Sequence, residues 1–209
     1  MPLPTVSFLV NVGVRPDIAQ IVSPHLQTTC AKFDISTREQ MSGFVAQCMH
    51  ESQMFTKMEE DLHYSSHRLQ VCWPHRFPTS AIADQYAMNP EKLANYIYAK
   101  RIGNGDEKSG DGWLFRGSGY MQTTGRDNFW AAYMQTKVNY LVSPDLPRRE
   151  PLHAALISGG FWIANNLNKV IETGGFAAVT HKVNPGDSRD ASENRLHFYA
   201  RCFAASMTV

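Results

Sequence analysis

Two glutamates have the residue type and spacing to do chemistry together. Glu51 and Glu60 both lie in the stretch Gly43 to Tyr64, GFVAQCMHESQMFTKMEEDLHY. Upstream, Met41, Phe44, Val45, Cys48 and Met49 recur at i, i+3, i+4, i+7 and i+8, the spacing of one buried helical face. Ser36, with Glu39 three residues on, predicts the helix start as a capping box. Glu51 follows Cys48 by three residues, so it projects from the buried face at the C-terminal end of that helix. No Lys or Arg lies within one turn of it in sequence. Desolvation and the negative end of the helix dipole then both favour the protonated form, which suits a general acid.

Glu60 comes nine residues later. In one continuous helix, nine steps of about 100° put it on the opposite face, roughly 13 Å along the axis. The two carboxyl groups can serve one bond only if the chain turns between Gln53 and Met58. A separation of roughly 6.5–9.5 Å would then fit an inverting glycosidase, with room for a water beneath the sugar. The other reading of Glu59, Glu60 and Asp61 is a solvated acidic turn. Spacing does not choose between them.

The elements that must position these groups read as helices. A short apolar lead-in precedes a helix from about Pro24 to Phe33, and then comes the helix carrying Glu51. Ser65 to Phe77 reads as an irregular, aromatic-rich connection, and Ser80 caps a short helix to Met88. Asn89-Pro90-Glu91 is a helix start, with cap, proline and acid in order, and that helix runs through Leu93, Ala94, Ile97 and Tyr98 to a stop at Gly103. Six of the seventeen residues from Gly103 to Gly119 are glycine, around Trp113, Phe115 and Arg116. Such a stretch predicts an ordered loop lining a groove rather than a hinge. Thr124 is expected to cap a helix through Phe129, Trp130 and Tyr133. After Pro144 and Pro147, Leu152, Ala155, Leu156, Gly159 and Trp162 mark another helix, with Gly159-Gly160 allowing close packing. Phe176 to Lys182 and a final helix through Leu196, Tyr199, Ala200 and Phe203 flank the turn Asn184-Pro185-Gly186-Asp187. The class is all-α, with at most a small β element between Trp113 and Thr124.

Composition narrows the function. A chain of 209 residues, 43% apolar, is long enough for one domain over residues 1–209 with a real core. A net charge of +1 gives no electrostatic case for nucleic acid or for a membrane surface. The four cysteines have no CxxC spacing, and Cys30 and Cys48 read as core, which points to free thiols. The N-terminus has no basic n-region, its apolar patch from Val6 to Val10 is broken by Ser7, and no run approaches a membrane span. A substrate outside the cytoplasm would need another protein to let this one out.

Rival chemistries fail on residue grounds. HExxH would need histidine where Met54 stands, and the pair His63 and His67 lacks a third ligand, so no metal and no other cofactor is expected. Cys48 and His50, two apart on a helix, do not face each other. No nucleophile elbow, phosphate loop or dinucleotide fingerprint is present. What remains is the glutamate pair, an aromatic glycine-rich loop and the polar residues Gln122, Thr124 and Asn128 around a helix start. Aromatic faces with amide side chains suit sugars, and the residues point to a carbohydrate-acting enzyme.

The runs AQCMHES, EDLHYSSHRL and NPEKLANYIYAKRIGNGDEKSGDGWLFRGSGYMQTTGRDNF resemble the glycoside hydrolase family 19 chitinases. They are closer to the phage-encoded endolysins of that kind, which cut peptidoglycan. The likeness runs roughly from Phe33 to Phe129 and continues weakly through VNPGD and NRLHFYAR. It implies an inverting glycosidase on a mainly α, lysozyme-like, two-lobed fold with the substrate groove between the lobes. By the same likeness Glu51 is the general acid, Glu60 the general base, and Thr124 helps orient the attacking water. Gln122 and Asn128 match substrate-holding amides, and Asn184 and Arg195 match far-wall residues more loosely. His50, Tyr64, Trp113 and Arg116 line the site.

The resemblance further implies peptidoglycan glycan strands as substrate, a monomer without a separate wall-binding module, and accumulation in the host cytoplasm until a separate holin releases it to the wall. A chitinase is the alternative, and a glycan-binding protein without catalysis a third possibility. Two departures stand out. The family's GRG is Gly117-Ser118-Gly119, one arginine fewer, and its NGG is Asn184-Pro185-Gly186.

Overall fold

In the computed structural model, which describes residues 3–207, the chain enters through α1 (Val6–Asn11), capped by the Thr5 hydroxyl. The next helix, α2 (Pro16–Lys32), starts eight residues before the expected position and runs through Pro24. Pro16 sits in the first turn, where a missing N–H costs nothing. The interior Pro24 is tolerated because Ala19, Val22, Leu26 and Cys30 bury one continuous face. Tertiary burial overrides the local preference.

The next helix, α3 (Arg38–Glu51), buries all five stripe residues completely. Its cap is Thr37, one residue after the expected Ser36. Thr37 Oγ1 accepts from the Gln40 N–H at 3.2 Å, and Gln40 Oε1 accepts from the Thr37 N–H at 3.1 Å. The box thus closes through Gln40, not Glu39.

A small lobe follows, made from α4 (Ser66–Cys72), α5 (Ser80–Ala83) and α6 (Pro90–Ile97) around Leu62, Leu69, Phe77, Leu93 and Ile97. Asn89 caps α6 with Pro90 in its first turn, as the sequence predicts. Thr79 rather than Ser80 caps α5, which ends at Ala83. The glycine-rich stretch is ordered: it holds a short 3-10 turn and α7 (Asp111–Leu114), which packs on α6.

The large lobe is built from α1, α2 and α3 with α8 (Arg126–Thr136), α9 (Leu146–Arg149), α10 (Pro151–Ala164), α11 (Leu167–Val183) and α12 (Arg189–Ala205). Helix α3 packs on α11 and α12, and α10 packs on α2 and α8. Gly159 lies so close to Phe33 and Thr29 that a Cβ there would overlap them. The segment expected at Phe176–Lys182 is the second half of α11, which kinks at Gly175 (φ 71°, ψ −176°).

Among the described residues, strand pairing is confined to the isolated bridges Glu59–Ser118 and Ser118–Thr123. All four cysteines are free. Among the described residues, no helix is long and apolar enough to cross a membrane. No cluster of three His, Cys, Asp or Glu there could hold a metal ion.

Candidate active site

The turn that the two glutamates require is present. After Glu51, Gln53, Met54 and Phe55 take φ values of 50°, 61° and 65°. Three successive left-handed residues without glycine cost about 1–2 kcal/mol each, so the surroundings must impose them. Ser52 Oγ donates to the Cys48 carbonyl at 2.6 Å and accepts from the Phe55 N–H at 2.9 Å. The Met54 N–H returns to the Met49 carbonyl at 2.8 Å. Phe55 is buried edge-on against Tyr120, with ring centroids 5.1 Å apart. The reversed chain then pairs with the glycine-rich segment: Glu60 N–H donates to Gly117 O at 3.0 Å, and Gly119 N–H to Met58 O at 2.9 Å. A side chain at Gly117 would strike Gln122 Oε1 and crowd the Glu60 Cβ.

Glu51 and Glu60 thereby line one open cleft of about 390 Å³ between the lobes, with Lys57, Tyr64, Arg68 and Gln122. Around Glu51 the expectation of an acid without a cation is wrong. Arg195 from α12 donates Nη2–H to Glu51 Oε1 at 2.7 Å, Nε–H to Asp187 Oδ2 at 2.8 Å and Nη1–H to Gln47 Oε1 at 2.6 Å. The Arg195 side chain is only 2% exposed, against 21% for Glu51 and 9% for Asp187. The family likeness places Arg195 on the far wall, but nothing near Glu51 in sequence signals this pairing, which spans 144 residues. Two carboxyl groups thus share one buried guanidinium.

Glu60 stands in a different environment. Tyr98 donates its hydroxyl to Oε1 at 2.6 Å, and the Gly117 N–H reaches Oε2 at 3.2 Å. Burial pushes the Glu60 carboxyl above the usual range, while the Tyr98 and Gly117 bonds and the Arg116 charge pull the other way. Burial and the facing Glu60 likewise push the Tyr98 phenol up, so it stays a donor. The neighbouring Glu59 is the side chain anchored by Arg116, through two bonds of 2.7 and 2.5 Å.

The remaining expected residues fall into three groups. Tyr64 and Gln122 line the cleft, and Trp113 lines an adjoining hollow that also touches Glu60. Thr124, His50 and Asn128 are among the lining residues of neither. Thr124 Oγ1 donates to the Gln122 carbonyl at 2.9 Å, Asn128 Nδ2 donates to the Thr124 carbonyl at 2.9 Å, and His50 Nδ1 meets Asn194 Oδ1 at 2.9 Å. Thr124 is not the cap of α8. That position is Gly125, which makes no side-chain cap bond.

Arg116 is buried beneath Trp113, 3.6 Å from its ring centroid, with its donors spent on Glu59 and the Trp113 carbonyl. Asn184 lies in a separate hollow between α11 and α12, where Nδ2 donates to Asp187 Oδ1 at 3.0 Å. It reaches Glu51 only through Asp187 and Arg195. The Ser118 departure costs the cleft no cation, because this side chain is fully buried. Its hydroxyl donates to the Arg116 carbonyl and accepts from the buried Arg148 at 2.7 Å.

Sequence reasoning passed over Gln47, Asp187 and Tyr98. Gln47 had a signal: it sits one turn before Glu51 on a helix with no exposed residue between Gln40 and Met49, and a buried amide there needs partners. Tyr98 had none, since it reads as one more apolar position in the stripe of α6.

No family model matches the chain. Over 92 residues it is 50% identical to a glycosyl hydrolase family 19 domain-containing protein of Haemophilus influenzae (strain ATCC 51907 / DSM 11121 / KW20 / Rd). The match spans 44% of this chain and 46% of that protein, less than half of either. Chitinase C of Streptomyces griseus HUT6037 is similar in structure, with a TM-score of 0.51 over 96% of this chain and 69% of the other, at 15% identity. A glutamate-to-glutamine variant of chitinase C aligns with a TM-score of 0.50 at 14% identity, over 96% of this chain and 69% of its own. Half the residues are thus shared with that family 19 domain-containing protein over the matched segment, and the helical, lysozyme-like fold is shared with chitinase C over nearly the whole chain.

Proposed function

We propose that the chain hydrolyses the β-1,4 glycosidic bonds of peptidoglycan strands by a single displacement, and that this activity lyses bacterial cells. The observation that carries the reading is the pair of carboxyl groups brought from two lobes into one cleft, each in its own environment. Glu51 is the general acid. Arg195 already has Asp187 as a buried counter-ion, so protonating Glu51 leaves the guanidinium paired. Of the two carboxylates on Arg195, Glu51 is the more exposed and the one that lines the cleft. It gives its proton to the leaving oxygen. Glu60, facing it from the small-lobe side, takes a proton from the attacking water.

Gln122 lines the cleft with the base and orients that water, and Thr124 contributes by holding the Gln122 carbonyl through its hydroxyl, while Tyr64 and Trp113 offer ring faces to sugars. The chain works as a single catalytic domain and reaches the wall after release by a separate pore-forming protein. A second reading, hydrolysis of chitin, is favoured by the likeness in fold to chitinase C.

Digestion of purified peptidoglycan and of colloidal chitin, with mass spectrometry of the new reducing ends, separates the two. The expected result is muropeptide release from peptidoglycan that is lost in both Glu51→Gln and Glu60→Gln. Release from chitin alone would move the assignment to the second reading, and release by both variants would remove the enzymatic one.

A further inference from the structure

Glu60 reaches the cleft from an irregular segment, so another element must fix its side chain. That element is the end of α6. Tyr98 follows its last residue and donates to Glu60 Oε1 at 2.6 Å, at the short end for a hydroxyl-to-carboxylate bond. Tyr98 is itself tied down. Its N–H donates to the Ala94 carbonyl at 3.0 Å, its carbonyl accepts from Asn104 Nδ2 at 3.1 Å, and its ring packs on the small-lobe core. The Gly117 N–H holds Oε2 by a longer bond of 3.2 Å.

We propose that Tyr98 is a positioning residue for Glu60: its hydroxyl locks Oε1 to the small lobe and leaves Oε2, with the weaker bond, to meet the attacking water. The proposal rests on the reading of Glu60 as the base. The other groups acting on this carboxyl are Arg116, whose first partner is Glu59, and Tyr64 on the same segment. The same cleft is lined by Glu51, Lys57, Glu59, Asp61, His63 and Arg68, with His63 held by Asp61 at 3.1 Å. Tyr98 differs from all of these in donating a short bond directly to Glu60.

The test replaces the donor and then strengthens it. Tyr98→Phe removes the hydroxyl, and 3-fluorotyrosine incorporated at position 98 makes it a stronger donor of nearly the same shape. In each protein the Glu60 carboxyl is titrated by ¹³C NMR, and kcat on peptidoglycan is measured across pH. Tyr98→Phe is expected to raise the Glu60 midpoint, move the acid limb of kcat to higher pH and lower the plateau by about tenfold, less than the 10²–10⁴-fold of losing the carboxyl itself. Fluorotyrosine is expected to move both midpoint and limb to lower pH, a reversal that a packing role cannot produce. It decides the question alone if Tyr98→Phe does not fold. An unchanged Glu60 midpoint, or shifts of the same sign in both proteins, overturns the proposal. Midpoints that move as stated while the acid limb stays put would uphold Tyr98 and remove Glu60 from the role of base.

Discussion

The two walls of the cleft hold their carboxyl groups by opposite means. On the large-lobe side, Glu51 belongs to a charged network whose centre, Arg195, is almost wholly buried and saturated by Glu51, Asp187 and Gln47. On the small-lobe side, Glu60 has only neutral donors as direct partners, a phenol and one backbone N–H. The first arrangement fixes geometry through charge, and it breaks at high cost because a lost partner leaves a buried ion. The second leaves the carboxyl desolvated and short of compensation, so protonation becomes easier. One wall thus holds its carboxyl through a buried charge, and the other through neutral donors set against burial.

The sharpest way to break this contrast is to neutralise each carboxyl in turn. Glu51→Gln and Glu60→Gln should each lower kcat on peptidoglycan by roughly 10²–10⁴-fold, the usual worth of a general acid or base. Retained lysis in either variant would remove that residue from the mechanism. Stability should respond next most strongly, at the centre of the charged network. Arg195→Met leaves Glu51 and Asp187 facing each other without their cation and should cost about 3–5 kcal/mol, a fall in Tm of roughly 10 °C by calorimetry.

The small lobe can be loosened without touching either carboxyl. A Cβ at Gly112 would overlap the Ala94 carbonyl and lie 2.7 Å from the Asn95 Cα, so Gly112→Ala must separate α7 from α6. The expected cost is about 1–3 kcal/mol. Hydrogen exchange should rise in α6 and α7 while the amides of α3 and α10 stay protected. Uniform loss across the molecule would mean that the lobes do not respond separately.

The smallest effect sharpens the contrast most. Burial raises the folded-state Glu60 carboxyl above its unfolded range, so folding is favoured by its protonated form and that advantage is lost as pH rises through the folded value. Glu60→Gln should therefore have the higher Tm at pH 7. The difference should vanish below about pH 4, near the unfolded glutamate value. Glu51→Gln should show the opposite sign at pH 7, because it withdraws an anion from Arg195. Equal shifts in both variants would erase the distinction between the two walls.

Much of this was legible in the sequence, and the gaps have physical causes. The stripe of α3 and the start of α6 at Asn89-Pro90 were readable, because each is decided by residues within a few positions of each other. The turn between Gln53 and Met58 was legible only as a condition for the two glutamates to act together, since it is held by the distant Tyr120 and Gly117. The cap at Thr37 fell one residue from the expected Ser36, where neighbouring hydroxyl residues compete for the same N–H groups, and Thr124 does not cap α8 because its hydroxyl is donated to the Gln122 carbonyl. The Arg195 network was illegible as energetics: its three partners lie at positions 47, 51 and 187, and only folding makes them neighbours. Tyr98 was illegible for another reason. A tyrosine at a half-buried helical position looks like packing until its hydroxyl has a place to point.

The most direct test of the two-carboxylate account is the configuration of the first product. In ¹H NMR of an oligosaccharide digest, recorded before mutarotation, a water activated by Glu60 while Glu51 protonates the leaving oxygen produces the α-anomer from a β-linked strand. Initial release of the β-anomer would mean a retaining route and contradict it.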